Sequence, residues 1–406
     1  MRPSSTANGR RRGHIPWAVA CLILVAALSG CSSAVGATAG TPSSSSAPNT
    51  IADVGDYRGG IARTGTMPGP GPASRPAQAW RYTDGVGLNY PAIVASGWVI
   101  VPAPRRLVAL DARTGASAWE LALPADVGAT LTVAGGVVYV PTTDGILRAF
   151  SVTTRRPLWT FSGVIDGSQV SESGTTVYVG TKTHELVALD ANAGHPLWTV
   201  AAPTSTAKIA IGSDVAIVGG DGGPRASAID LQTHSVRWVF DTKAQRVATP
   251  VLADGSAYVA GLLSGGLPGV VSRLFSLDLG TGSVRWTFTP PGQVPMAAFA
   301  VTAHDVVVGS DTDQGIVYDL DRATGRIRWQ SALGTAVDRP VVVGGTVYVG
   351  TGTGGLHAID LATGHELWKV DVAGYSEGVV VTGGSAFVTT HDAPDGPGSV
   401  TAFATP

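Results

Sequence analysis

Eight of the ten tryptophans in this chain fall at Trp80, Trp119, Trp159, Trp198, Trp238, Trp286, Trp329 and Trp368, at intervals of 39, 40, 39, 40, 48, 43 and 39 residues. Spacing this regular over most of a 406-residue chain requires a structural unit repeated in tandem, each copy presenting its tryptophan to the same kind of contact. Each unit reads as an apolar stretch, a Gly-containing turn, a β-branched run such as Val137-Val138-Tyr139-Val140, a Gly/Asp turn, a third strand, a tight turn, and a strand bearing the Trp. Four short strands about every forty residues predict the blade of a β-propeller. Composition closes the main alternative: only 14% of residues are charged, and 54 Gly with 26 Pro exclude long helices as the principal element.

The third strand, the tight turn and the Trp follow the spacing A-x-D-x-x-T-G-x-x-x-W. It is complete in Ala109, Asp111, Thr114, Gly115 and Trp119, and in Ala358, Asp360, Thr363, Gly364 and Trp368. Asp278 and Asp321 keep the turn with Ser276 and Asp319 in the alanine place, Asp190 lacks the Thr, and Asp230 has His234 where Gly is expected. The second unit departs furthest, with Ser151 and Arg155 in the Asp and Gly places before Trp159. The physical reading is local: Asp accepts hydrogen bonds from turn amides, Gly takes a positive φ, and the Trp lies flat between neighbouring blades. These residues are structural.

This pattern resembles the tryptophan-docking repeat of the pyrroloquinoline quinone (PQQ)-type propellers over about residues 57–404. Seven motifs end at Trp119 through Trp368. An eighth unit starts at Tyr375 and stops in Val400-Thr401-Ala402-Phe403 without its Trp, so Trp80 supplies the missing strand. The expectation is an all-β, eight-bladed propeller of four-stranded antiparallel blades, its ring closed by the N-terminal strand around Trp80, leaving no open sheet edge at the join. Tyr57 to Gly65 resembles the segment that precedes the first blade in this family. The layout is also similar to the propeller lipoprotein of the outer-membrane β-barrel assembly machinery, which implies a non-enzymatic scaffold. Quinoprotein dehydrogenases share the repeat but resemble one another in an adjacent cysteine pair packed on the quinone, and they are much longer. Here the cysteines are Cys21 and Cys31 alone, so neither PQQ nor calcium is expected, and the dehydrogenase reading stands as a disfavoured alternative.

The first residues read as an address. Arg10, Arg11 and Arg12 precede an apolar run from Ile15 to Leu28, the layout of a secretory signal peptide and too short for a transmembrane span. Leu28-Ser29-Gly30-Cys31 resembles a bacterial lipobox, which implies cleavage after residue 30 and lipid on Cys31. Residues 31–56, rich in Ser, Ala and Pro, cannot bury enough surface to fold and read as a tether with an r.m.s. span of roughly 25 Å; residues 57–406 form the propeller. Processing removes four arginines and no acid, leaving a formal charge of about −6 from −2. With no block of like charge, there is no footprint for nucleic acid. The expected location is extracytoplasmic, at the outer face of the cell membrane or in the periplasm, with an envelope or membrane protein as partner and the propeller itself monomeric.

Chemistry motifs are weak: there is no G-x-S-x-G elbow, no P-loop and no clustered histidines, and Asp311-Thr312-Asp313-Gln314-Gly315 begins like a calcium loop but has Arg322 where an EF-hand needs Glu, so it reads as a solvated turn. In a propeller the Asp-Thr-Gly turns lie on one face, and the second-to-third-strand turns lie on the other with the links between blades. The former are uniform and the latter vary, as at Gly219–Arg225, Gly261–Val271, Ser310–Gly315 and His391–Gly398, which places binding on the variable face. Leu262, Leu263, Leu267 and Val270 are apolar where a hairpin tip should be polar; they either cap the neighbouring blade or dock a partner. The starts of the innermost strands line the channel mouth and carry Tyr90, Gln169, Lys208, Arg246, Asp338, Arg339, Tyr375 and Glu377. This ring either holds a small polar ligand, which would make the propeller a ligand sensor, or satisfies itself and channel water.

Overall fold

The computed structural model describes residues 51–165, 167–262, 272–293, 296–392 and 396–405. The lipobox with Cys31, the leader and most of the tether lie outside these residues, as do Leu263, Leu267 and Val270. Eight antiparallel sheets follow one another along the chain. In the first blade, β1 (Ile93–Ala95), β2 (Trp98–Ala103), β3 (Arg106–Asp111) and β4 (Ser117–Ala122) pair in sequence order. The eighth blade is made of Tyr375–Thr382, Ser385–His391, Gly398–Ala404 and, as its outer strand, the N-terminal Ala77–Asp84, with Trp80 opposite Ala402. The ring therefore closes as the repeat arithmetic predicts.

Second and third strands are buried on both sides because each blade is sandwiched between two others, which is why they read as continuous apolar runs rather than alternating ones. The core is a series of layers between blades; Ile93, Ile100 and Leu107 of blade 1, for example, pack against Leu131, Val138 and Phe150 of blade 2. The outer strands alternate in exposure, as in Ser117–Ala122.

The tight turns have the geometry their residues dictate. Asp111 Oδ1 accepts the amides of Arg113 and Thr114 at 3.1 and 2.9 Å, and the second of these contacts, from the amide three residues on, recurs at Asp190, Asp230, Asp278, Asp321 and Asp360. Hydrogen bonds from Arg285 and Thr281 hold the Asp278 carboxyl down at about 2. Five of the tryptophans then dock on the turn of the next blade: Trp80 Nε1 donates to Ala112 O at 3.2 Å, Trp159 to Ala191 O, Trp238 to Leu279 O and Trp286 to Arg322 O each at 2.9 Å, and Trp329 to Leu361 O at 2.8 Å. A Cβ on Gly115 would sit 2.6 Å from the Trp80 ring, so the turn glycine is required by the close approach as well as by its φ of 71°. Where Gly is missing the backbone still adopts the same conformation, with φ of 59° at Arg155 and 52° at His234. His234 then stacks on Trp198 at 4.5 Å, filling with a ring the space a glycine leaves open.

Residues 51–71 form a belt across one end of the central channel. Ala52 exchanges hydrogen bonds with Thr382 of blade 8, Val54 pairs with Val94 of blade 1, and Gly55 O accepts from Val133 N of blade 2 at 2.6 Å. Ile61, Ala62, Thr64 and Gly65 then accept from Ile211, Leu252, Val301 and Val342 of blades 4 to 7, and Pro70 from Gly384 of blade 8. Blade 3 is reached by Arg63, which is fully buried and donates to Val170 O and Ser171 Oγ at 2.6 and 2.7 Å. The belt thus contacts every blade at the end of its innermost strand nearest the Asp-Thr-Gly turns, and it closes that end of the channel.

Candidate functional site

With one end closed, the channel becomes a funnel that opens on the face of the variable turns. The starts of the innermost strands supply its wall: Tyr90 from blade 1, Thr130 from blade 2, Gln169 from blade 3, Lys208 from blade 4, Arg246 and Thr249 from blade 5, Phe299 from blade 6 and Arg339 from blade 7. The belt supplies the floor with Tyr57 and Arg58. The enclosed space is about 380 Å³. A smaller space of about 20 Å³ shares Tyr57, Arg58, Thr130 and Arg339 with it and has room for one water.

The wall is electrostatically lopsided. Among the described residues, Arg58, Lys208, Arg246 and Arg339 line the space together with one carboxylate, Asp221, in a chain whose formal charge is −2. Asp221 lies 4.0 Å from Lys208 and 3.2 Å from Arg246. Arg58 is 5% exposed and donates to the carbonyls of Phe299 and, at 3.3 Å, Pro340; among the described residues no carboxylate pairs with it. Burial pulls its guanidinium below the usual arginine range. Tyr57 and Asp338 push Arg339 the other way, further up, and Asp338 lies 3.2 Å from it. Three buried polar atoms of lining residues have no protein partner: Arg58 Nη1, Thr130 Oγ1 and Gln169 Oε1. The Gln169 amide uses its nitrogen on Thr249 Oγ1 at 3.0 Å.

Five of the residues proposed for the channel mouth from sequence, Tyr90, Gln169, Lys208, Arg246 and Arg339, line this one cavity. Asp338 stands behind Arg339 and accepts from Ser376 at 3.0 Å. Tyr375 stacks on His391 at 5.7 Å, and Glu377 lies 2.8 Å from His391; these two face each other's neighbourhood rather than the cavity. Of the apolar loop, Leu262 is described: it is half-buried, pairs with Arg246 and reaches the funnel wall. Sequence reasoning missed Tyr57, Arg58, Thr130, Asp221, Thr249 and Phe299. The Tyr57-Arg58-Gly59-Gly60 string was visible, but nothing in it says that the segment crosses the channel.

The repeat, the closure and the docked tryptophans define a PQQ-type, eight-bladed β-propeller. A family model described as outer membrane protein assembly factor BamB matches residues 73–199 and 182–405, and the chain belongs to that family. Among solved structures, BamB from Moraxella catarrhalis is similar at 20% identity and a TM-score of 0.63, covering 81% of this chain and 99% of that one. Quinohemoprotein alcohol dehydrogenase from Comamonas testosteroni is similar at 14% identity and a TM-score of 0.67, covering 86% of this chain and 80% of that one. At these identities the likeness is one of fold. The serine/threonine-protein kinase AfsK of Streptomyces griseus is 31% identical over 144 residues, which is 32% of this chain and only 16% of the kinase.

The dehydrogenase likeness raises the question whether the funnel suits PQQ and calcium. Calcium takes six to eight oxygen ligands, carboxylates prominent among them. The wall offers Asp221, which two cations already engage, and among the described residues no cluster of three His, Cys, Asp or Glu could hold a metal. The donor set does not fit a calcium-quinone pair.

Proposed function

We propose that this chain is a non-enzymatic interaction scaffold of the cell envelope, held at the membrane by lipid on Cys31 and docking an envelope protein with its variable face. Membership of the BamB family over residues 73–405 is the observation that carries this reading. The geometry supports it: the Asp-Thr-Gly turns are near-identical, whereas the turns of the opposite face vary in length and surround the funnel, which is where partner-specific surface is expected. A monomeric ring suffices, because closure by Ala77–Asp84 leaves no blade to be completed by another chain.

The test is crosslinking in intact cells. A photoreactive residue at Asp313, exposed on the variable face, is compared with one at Arg113, exposed in an Asp-Thr-Gly turn, each with Cys31 intact or replaced by Ala. The expected result is a discrete envelope-protein adduct from position 313 alone, together with palmitate labelling and membrane fractionation that the Cys31→Ala change abolishes. Equal adducts from both faces, or none from either, would refute the docking face. Persistent labelling of the alanine variant would refute the anchor.

A further inference from the structure

We propose that the funnel is a binding site for a small anionic carbohydrate, a hydroxylated ring bearing a phosphate or carboxylate. This inference stands apart from the scaffold reading, because it rests on the cavity alone. Its volume of about 380 Å³ falls in the range of roughly 300–1,000 Å³ typical of small-molecule sites, and its closed floor excludes a polymer threading the channel.

Charge selects an anion. Four cationic side chains from the belt and blades 4, 5 and 7 converge on one cavity that, among the described residues, has one lining carboxylate, and low-dielectric walls focus their field. Arg58 matters most, since it is a buried guanidinium at the floor without a carboxylate partner and with Nη1 unengaged by protein. A buried cation in that condition is costly unless something negative or strongly accepting meets it. The remaining unpaired atoms select for more than charge. Gln169 is 4% exposed and its Oε1 can only accept, so its match is a hydroxyl or amine donor on the ligand; Thr130 Oγ1, in a residue 8% exposed, can give or take a proton. If the Gln169 amide is turned over, Oε1 meets the Thr249 hydroxyl and the nitrogen becomes the unpaired atom, so a ligand hydroxyl still answers it. Tyr57, Tyr90 and Phe299 complete the lining with aromatic surface, suited to the apolar faces of a sugar ring. A bare carboxylate such as acetate would meet the cations and, having no hydroxyl to donate, leave Gln169 unanswered.

The test is titration calorimetry on the purified full-length chain in detergent with five probes: glucose 6-phosphate, glucuronate, glucose, inorganic phosphate and acetate. Saturable binding of glucose 6-phosphate or glucuronate at least tenfold tighter than glucose, phosphate or acetate is expected, and the stronger of the two identifies phosphate or carboxylate as the recognised group. Arg58 helps hold the belt, so the variants are placed on residues that leave the fold alone. Arg246→Ala and Lys208→Ala should each weaken binding, and Asp221→Asn, which removes a lining carboxylate from an exposed side chain, should tighten it about fivefold. Gln169→Leu should erase the preference for glucuronate over acetate. The proposal is overturned by absence of saturable binding to any probe, by glucose binding as well as its phosphate, or by an Asp221→Asn variant with unchanged affinity.

Discussion

Opposite each docking tryptophan, across the third-to-fourth-strand pair, the blades place Ala109, Ala149, Ala188, Ala228, Ala358 and Ala402, with Ser276 in blade 5. Blade 6 places Asp319 there, against Trp329. The side chain is 1% exposed and its Oδ1 has no protein partner. Burial, reinforced by Asp305 and only partly offset by Arg328, pushes its carboxyl from 3.8 up to about 7. Because the folded value lies above the unfolded one, ionisation opposes folding. The penalty is nil below the unfolded value, grows as pH rises from 3.8 towards 7, and is complete above 7. At 1.36 kcal/mol per pH unit this amounts to ~4 kcal/mol at pH 8 and ~2 kcal/mol at pH 5. Asp319→Ala, which gives blade 6 the residue of its sisters, should therefore stabilise the protein, and more so at the higher pH. With an unfolding entropy of about 2.1 cal/mol/K per residue over about 360 residues, 1 kcal/mol corresponds to about 1.3 °C, so the gain in Tm is about 5 °C at pH 8 and about 2 °C at pH 5. Calorimetric scans of the wild type, Asp319→Ala and the isosteric Asp319→Asn at both pH values measure it. Asp319→Asn should recover the pH-dependent part alone. A Tm offset identical at pH 5 and pH 8, or a variant less stable than wild type at pH 8, would refute the argument that a buried charge is the cause.

Three further outcomes are expected. Arg63→Met removes the buried guanidinium that ties the belt to blades 3 and 4 and leaves the half-buried Asp56, 3.4 Å away, without its cation; the cost should be about 3 kcal/mol in denaturant unfolding, with proteolytic cleavage appearing first between residues 51 and 71. His357 is 2% exposed, its Nε2 lacks a protein partner, and burial lowers its pKa. The unfolded chain therefore binds that proton more readily: the His357 contribution is complete above about 6.5 and is lost as pH falls below it, so the Tm difference between wild type and His357→Leu should change between pH 7 and 5. His234→Ala loses the stack on Trp198 while keeping a Cβ at positive φ and should cost ~1 kcal/mol. His234→Gly should stay within ~0.5 kcal/mol of wild type in the same unfolding assay, because relief of the backbone offsets the lost stack.

The propeller was legible because its information is local and repeated. The Asp, the turn and the Trp lie within a dozen residues of one another, and the docking bond recurs at Trp80, Trp159, Trp238, Trp286 and Trp329, so a period in sequence becomes a period in space. Even the departures were harmless, since Arg155 and His234 take the positive φ that Gly would have taken. The channel mouth was legible to the extent that strand position fixes direction: Gln169, Lys208 and Arg246 point inward because their equivalents do. In blade 8 a register slip between Ser376 and Gly378 breaks that rule, which is why Tyr375 and Glu377 go to His391 instead.

The belt had no such signature. Ile51 to Gly71 has no apolar period, and Arg58 and Arg63 read as solvated cations, yet they are 5% and 0% exposed. Their partners, Phe299, Pro340, Val170 and Ile209, lie more than a hundred residues away. No local pattern encodes such contacts. Yet this is the segment that turns an open channel into a funnel with a floor, so the proposed carbohydrate site depends on it as much as the ring does. Tyr57 and Arg58 can face the cavity only while the flanking belt residues stay bonded to the blade ends, on one side at Val54 and Gly55, on the other at Ile61 to Gly65. Structural stability and ligand recognition thus share one strip of chain, and a ligand that engages Arg58 must raise the free energy of peeling that strip away.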